Sequence, residues 1–228
     1  MLGSVVIDRA QRILNDTTAV RWPAADLLDW LNEGQQAAVR IAPEAYTVTA
    51  NMQLAEGVRQ NLVSMATAAS TEVPLRLIEV TRNVTDATGL PALKVVRMVT
   101  RRALDQANPD WPTETGVALV DHYMFDSRNP KEFMVYPPQP ATGQGFVEVV
   151  YSAEPAPLTD AADPIVLDDS YAPALVDYIV HRALSTDAEY GQNPAKVAQH
   201  FNQFMGALTQ KSGIDLAVEP VPSTTPTE

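Results

Sequence analysis

The stretch YMFDSRNPKEFMVYPPQP, Tyr123–Pro140, decides how the middle of this chain is read. Two apolar runs, YMF and EFMVY, flank DSRNP, whose Asp, Ser, Asn and Pro all favour turns. That pattern predicts a β-hairpin. Pro137 and Pro138 lack the N–H that a strand ladder needs, so the second strand is expected to stop there.

Outward from this hairpin the hydrophobic period stays at two from about Ala45 to Asp160. YTVTANMQL, LRLIEVTRNV, LKVVRMVT, GVALVDHYMF, EFMVY and GFVEVVYS read as six strands, and TDATGLP, SRNP and PPQPATGQG supply turns between them. MATAAST fits either a short helix or a loop. Six short strands bury both faces most simply as a small sandwich or barrel.

Both flanks are helical. Val6, Ala10, Ile13 and Leu14 share one face of a first helix that ends at Asn15-Asp16-Thr17-Thr18. Pro23 suits the first turn of a second helix, whose expected stripe is Leu27, Leu31, Gly34, Ala38 and Ile41, closed by Pro43. Near the other end, Asp168 and Asp169 stand where a helix cap belongs, and Leu175, Tyr178, Ile179 and Ala183 form a stripe. Asn193-Pro194 opens a further helix lined by Val197, Phe201, Phe204 and Leu208, with Lys211-Ser212-Gly213 as its end. Short links predict antiparallel pairs.

The expected fold class is therefore α+β: two antiparallel helical hairpins, N- and C-terminal, forming a bundle, with a β-rich sandwich- or barrel-like insert between them. The segments run 1–43 for the first hairpin, 44–165 for the insert, 166–213 for the second hairpin and 214–228 for an extended, Pro/Thr-rich tail.

Composition narrows the function. Of 228 residues 46% are hydrophobic and 19% charged, and the formal net charge is −12. So acidic a chain is not built around a phosphate-gripping groove, although an acidic wall lets nucleic acid slide past. There is no cysteine, which excludes disulfides and thiolate metal sites. The start, MLGSVVIDRAQ, has neither the basic residues nor the long apolar run of a signal peptide, so assembly in a reducing cytoplasm is expected, with no membrane anchor.

Catalytic patterns are sparse. His122 sits on an expected strand, and His181 and His200 sit on different helices. A metal reading would combine the last two with Asp177 or Asp187, yet no two histidines have ligand spacing on one helix; imidazoles at a bundle edge are the simpler reading. Asp160, Asp163, Asp168 and Asp169 can be an acid/base group, but the helix that follows favours a cap and an acidic loop. No nucleotide-binding glycine loop and no nucleophile elbow is present, and no cofactor is expected.

Interface candidates remain. Lys94, Arg97, Arg101 and Arg102 cluster around one expected strand, either as a basic patch for an acidic partner or as a solvated face. Trp22 and Trp111 each precede proline in a loop and suit interface anchors, or alternatively close the core; Trp30 is expected to pack. Tyr123, Pro137, Pro138, Asp215, Val218, Pro220 and Pro222 complete the candidate interface.

Several blocks together resemble the head-to-tail adaptor (connector) proteins of short-tailed bacteriophages. ILNDTTAVRWPAADLLDWLNEGQQAAV resembles the opening of that family. LIEVTRNV, NPDWPTE, YMFDSRNPKEFMVYPPQP and VEVVYSAEP resemble its β-insert, and LDDSYAPALVDYIVHRALSTDAEYGQNPAKVAQHFNQF its closing hairpin. The resemblance implies a non-enzymatic virion part at the head–tail junction. It implies a ring, usually of twelve copies, between the portal protein and the tail nozzle, with tail fibres as further neighbours. The DNA channel continues through it without sequence-specific binding. The hairpin ending at Pro137-Pro138 then becomes a rigid scaffold whose prolines block stray edge pairing.

Two other readings compete. A small binding module for a glycan or peptide would need Trp111, Tyr123 or Tyr136 as an open aromatic platform. A metal-dependent enzyme would need His181, His200 and nearby carboxylates to converge.

Overall fold

The computed structural model describes residues 1–69, 72–186 and 194–218, with the backbone alone for 66–69 and 211–218. The chain divides into two compact units, one of residues 1–45 with 155–228 and one of residues 46–154.

In the first unit, α1 (Gly3–Leu14), α2 (Ala24–Ile41), α5 (Ala172–Thr186) and α6 (Pro194–Val218) pack together. The start of α1 has no side-chain cap. Its orphan N–H groups are satisfied by a returning loop instead: Gly3 donates to the Asp163 carbonyl at 3.0 Å and Ser4 to the Ala161 carbonyl. At its other end Asn15 takes the left-handed conformation that stops a helix, with φ of 56°. Asp16 then builds the bend. Its carboxylate accepts from the N–H groups of Val20 (3.0 Å), Arg21 (3.0 Å) and Trp22 (2.9 Å), and these bonds, that of Trp22 foremost, lower its pKa.

Helix α5 is the centre of this unit, because α1, α2 and α6 all pack on it. Its buried set, which includes Ala174, Leu175, Val176, Ile179, Val180, Ala183 and Leu184, wraps much further around than the predicted stripe. A helix with partners on several sides needs apolar residues on all of them. Gly34 lets α2 come close: a Cβ there would stand 3.0 Å from the Tyr178 ring.

The second unit holds two four-stranded sheets. In one, the order is β1 (Thr47–Gln53), β8 (Phe146–Glu154), β3 (Val73–Val84), β4 (Ala92–Val95). In the other it is β2 (Gly57–Asn61), β7 (Glu132–Gln139), β6 (His122–Phe125), β5 (Arg97–Met98). Both sheets supply one core, with Leu77, Val80, Val149 and Tyr151 from the first and Tyr123, Phe133 and Val135 from the second. Two short helices, α3 (Leu62–Ala69) and α4 (Arg101–Ala107), complete the unit.

Strand β3 departs from simple alternation. It pairs with β8 in couplets, and Leu75, Ile78 and Thr81 fall between paired positions, so its twelve residues run beside nine of β8. Each extra residue is a bulge that bends and twists the strand. Burial therefore recurs every third residue, at Pro74, Leu77, Val80 and Asn83.

The expected architecture needs correction. The terminal helices are not two self-packed hairpins forming a bundle about a sandwich- or barrel-like insert. Helices α5 and α6 do pack on each other, but α1 and α2 pack chiefly on α5 and less on each other; the strands form two four-stranded sheets about one core, and two more helices lie among them. Nor is the tail extended from residue 214, since α6 runs through Lys211-Ser212-Gly213 to Val218. Ile13 and Ile41, placed on core faces by periodicity, are exposed.

Candidate interaction surfaces

The loop tryptophans face inward. Trp22 is buried, with the Arg21 guanidinium 5.2 Å from its ring centre. Trp111 begins a single 3-10 turn, Trp111–Thr113, and is 2% exposed. Its indole N–H donates to Asp105 Oδ1 at 2.9 Å and its ring meets Tyr136 edge-on, in a small cluster with Leu104 and Met124. Tyr123 lies in the core between the sheets, where burial raises its phenol pKa. Tyr136 is half-buried and stacked on His122. These rings are used up by packing, so the open aromatic platform required of a glycan module is not formed by Trp111, Tyr123 and Tyr136.

The prolines of the opening stretch do not end a strand. β7 runs through Pro137 and Pro138 to Gln139, and it is a central strand with β2 on one side and β6 on the other. The chain accommodates them at a bulge: Gly57 pairs with Gln139 and Arg59 with Met134, so four β7 residues lie opposite Val58. Their carbonyl side stays useful, since Pro138 accepts from the Val117 N–H at 2.8 Å. An edge-blocking role for this pair is thereby ruled out.

Of the basic cluster, Lys94 lies on β4 and pairs with Asp121 at 2.7 Å, while Arg97 lies on β5. Arg101 and Arg102 do not extend a strand; they open α4, which Thr100 caps by accepting from the Ala103 N–H. Arg101 contacts Asp105 at 3.4 Å. Arg97 and Arg102 are exposed and make no ion pair among the described residues. Asp215 and Val218 belong to α6, and their side chains, like Asp187, Pro220 and Pro222 as a whole, lie outside the described residues.

The histidines serve packing contacts. His200 Nδ1 stands 2.8 Å from Asp177 Oδ1 and His181 Nδ1 stands 3.1 Å from the Val197 carbonyl, so both tie α6 to α5. They do not converge, and among the described residues no three metal-ligating side chains come together. Asp163 accepts from the N–H groups of Thr159 and Asp160, each at 2.9 Å, which lowers its pKa. Asp168 caps the turn Asp169–Tyr171, and Asp169 meets the amino group of Met1 at 2.9 Å. The acidic loop is thus spent on local structure.

Two surfaces escaped the sequence reading. The outward side of α6 carries Ala195, Ala198, Gln199, Asn202, Gln203 and Gln210 without a charge among them. Its only sequence signal is that gap in charge. The other is the free edge of β4 and β5, where all six residues are exposed. Charge is also uneven: residues 46–154 hold nine Lys/Arg against twelve Asp/Glu, a net of −3. The remainder holds seven against sixteen, a net of −9.

Among the described residues the aromatics face inward and the loop carboxylates bond locally, while the α6 face and the strand edges lie open. One family model, described as SU10 adaptor protein, matches residues 2–223. The chain belongs to the SU10 adaptor protein family. The match takes in every block on which the resemblance rested and continues past Leu208. The adaptor is thus a structural protein of a bacteriophage particle. No curated protein matches it in sequence. No described helix of the adaptor is long and apolar enough to cross a membrane.

Proposed function

We propose that the adaptor forms a ring of about twelve copies at the head–tail junction, between portal protein and tail nozzle, and that DNA leaves through the ring. The family match over residues 2–223 carries this reading. The overall charge supports it: a chain of net −12 around a channel repels the phosphate backbone and lets it slide. In this reading the segments 1–43 and 166–213 make the ring wall, and 44–165 meets the nozzle and fibres. Exposed Arg101 and Arg102 belong to that contact surface, together with Asp215 and Val218 at the end of α6 and Pro220 and Pro222 beyond it. Trp22, Trp111, Tyr123, Pro137 and Pro138 support it from within by holding its backbone. The copies assemble in the host cytoplasm and carry out no reaction.

Mass measurement of the purified adaptor, alone and mixed with portal rings, tests this. A discrete ring-sized assembly on the portal is expected. An adaptor that stays monomeric and ignores the portal overturns the reading.

A further inference from the structure

The segment Pro91–Met98, PALKVVRM, forms one exposed border of the 46–154 unit. β4 ends the first sheet and β5 ends the second, and the chain crosses between them at buried Val96, whose N–H donates to the Thr81 carbonyl at 3.0 Å. Leu90, Leu93, Val95 and Met98 are exposed, at 73%, 42%, 62% and 59%. Of the four cations from Lys94 to Arg102, Lys94 and Arg101 are paired with Asp121 and Asp105, and Arg97 and Arg102 make no ion pair among the described residues. An apolar strand edge with an unpaired outer side is a template for another strand. The opposite edge, β1, instead shows Thr47, Thr49 and Gln53 to solvent.

The chain carries a segment of complementary chemistry. Beyond α6, from Glu219 to Glu228, it has Glu219 and Glu228 and no Lys or Arg. Pro220 and Pro222 stand two apart. In an extended chain, groups two residues apart point to the same side, so both missing donors fall on one side. Glu219, Val221 and Ser223 keep every N–H and C=O on the other. Such a strand pairs along one side only, as the outermost strand of a sheet must. The five residues 219–223 span roughly 16 Å when extended, enough to cover the roughly 13 Å of β4, Ala92–Val95.

We infer that Glu219–Ser223 of one copy adds as an outer strand to the β4 edge of a neighbouring copy, with the Glu219 carboxylate facing Arg97 and Arg102. The inference rests on copies standing side by side, as in the ring reading, and adds what joins them.

Because the chain has no cysteine, introduced thiols report it directly. Full-length Val95→Cys mixed with full-length Val221→Cys is expected to give a disulfide dimer about tenfold more abundantly than Thr47→Cys, on the far edge, mixed with Val221→Cys. Val221→Pro removes a donor on the pairing side and is expected to speed amide exchange across Ala92–Val95 about tenfold, while Pro222→Ala leaves it unchanged. Equal dimer yields, unchanged exchange in Val221→Pro, or closure of a Val95→Cys/Val221→Cys double variant only within its own chain would each overturn the inference. A ring found by mass without the disulfide removes the strand and leaves the ring standing.

Discussion

The Asn83 side chain, from β3, grips the backbone of Val120, just before β6, on both sides. It accepts the Val120 N–H at 2.8 Å and donates to the Val120 carbonyl at 2.7 Å. The same amide group donates to the Lys94 carbonyl at 2.9 Å. A fully buried side chain thus joins one sheet to the chain entering the other and holds the base of β4. Gln60 and Gln139 do comparable work. Gln60 bonds both backbone groups of Ala55, and Gln139 joins Val117 to Gly145. Buried amides of this kind stabilise only while every partner is met.

Asn83→Ala strands the N–H and C=O of Val120 without partners. A loss of about 2–3 kcal/mol is expected in urea unfolding, with the slope of the transition unchanged. A loss below about 0.5 kcal/mol would show that water replaces the amide at no cost.

Gly145 leads into β8 where a Cβ would stand 1.9 Å from the Ala118 carbonyl oxygen. Gly145→Ala forces backbone apart and is expected to cost about 3 kcal/mol or to leave the chain insoluble. Gly57→Ala meets no atom within 4 Å but has a φ of 84°, so it carries the smaller conformational penalty alone, about 1 kcal/mol. Equal thermal shifts for the two variants would contradict this.

Asp16 sets the acid limit of the bend between α1 and α2. Its carboxyl is held below its ordinary value in the folded chain, so it adds stability above the unfolded pKa of about 4, and that contribution disappears as pH falls through the folded value. Asp163 behaves in the same direction. Asp16→Asn is expected to be less stable than the parent at pH 7 and to converge with it on acidification. Parallel stability curves down to pH about 2 would refute the role.

His200 and Asp177 are both largely buried between α5 and α6. His200→Ala is expected to lower stability by about 1 kcal/mol and to raise amide exchange along Pro194–Gln210 while leaving α1 protected. A change spread evenly over both helices would count against a local tie.

Much of the local structure was legible in the residues alone. Asn15 and Asp16 do stop a helix, Asp168 does cap a turn, and the strand segments around Val48, Val80, Phe133 and Val149 do form strands. These features depend on backbone preferences and short-range hydrogen bonds, which neighbouring residues set by themselves. The GVRQN strand was missed because its buried member, Gln60, is polar and is satisfied only by the backbone of Ala55 and Gly57.

Tertiary structure decided the rest. Whether Trp22 and Trp111 point out or in depends on Asp16 and Asp105 and the surfaces they border, not on the prolines that follow them. Pro137 and Pro138 read as a stop until pairing with β2 places them in a bulge of β7. The three-residue rhythm of β3 is invisible in its own sequence, because a bulge is defined by the partner strand. Local chemistry determines which segments are helices, strands and turns; only packing against distant residues determines which of their sides is buried and which is left free to meet another chain.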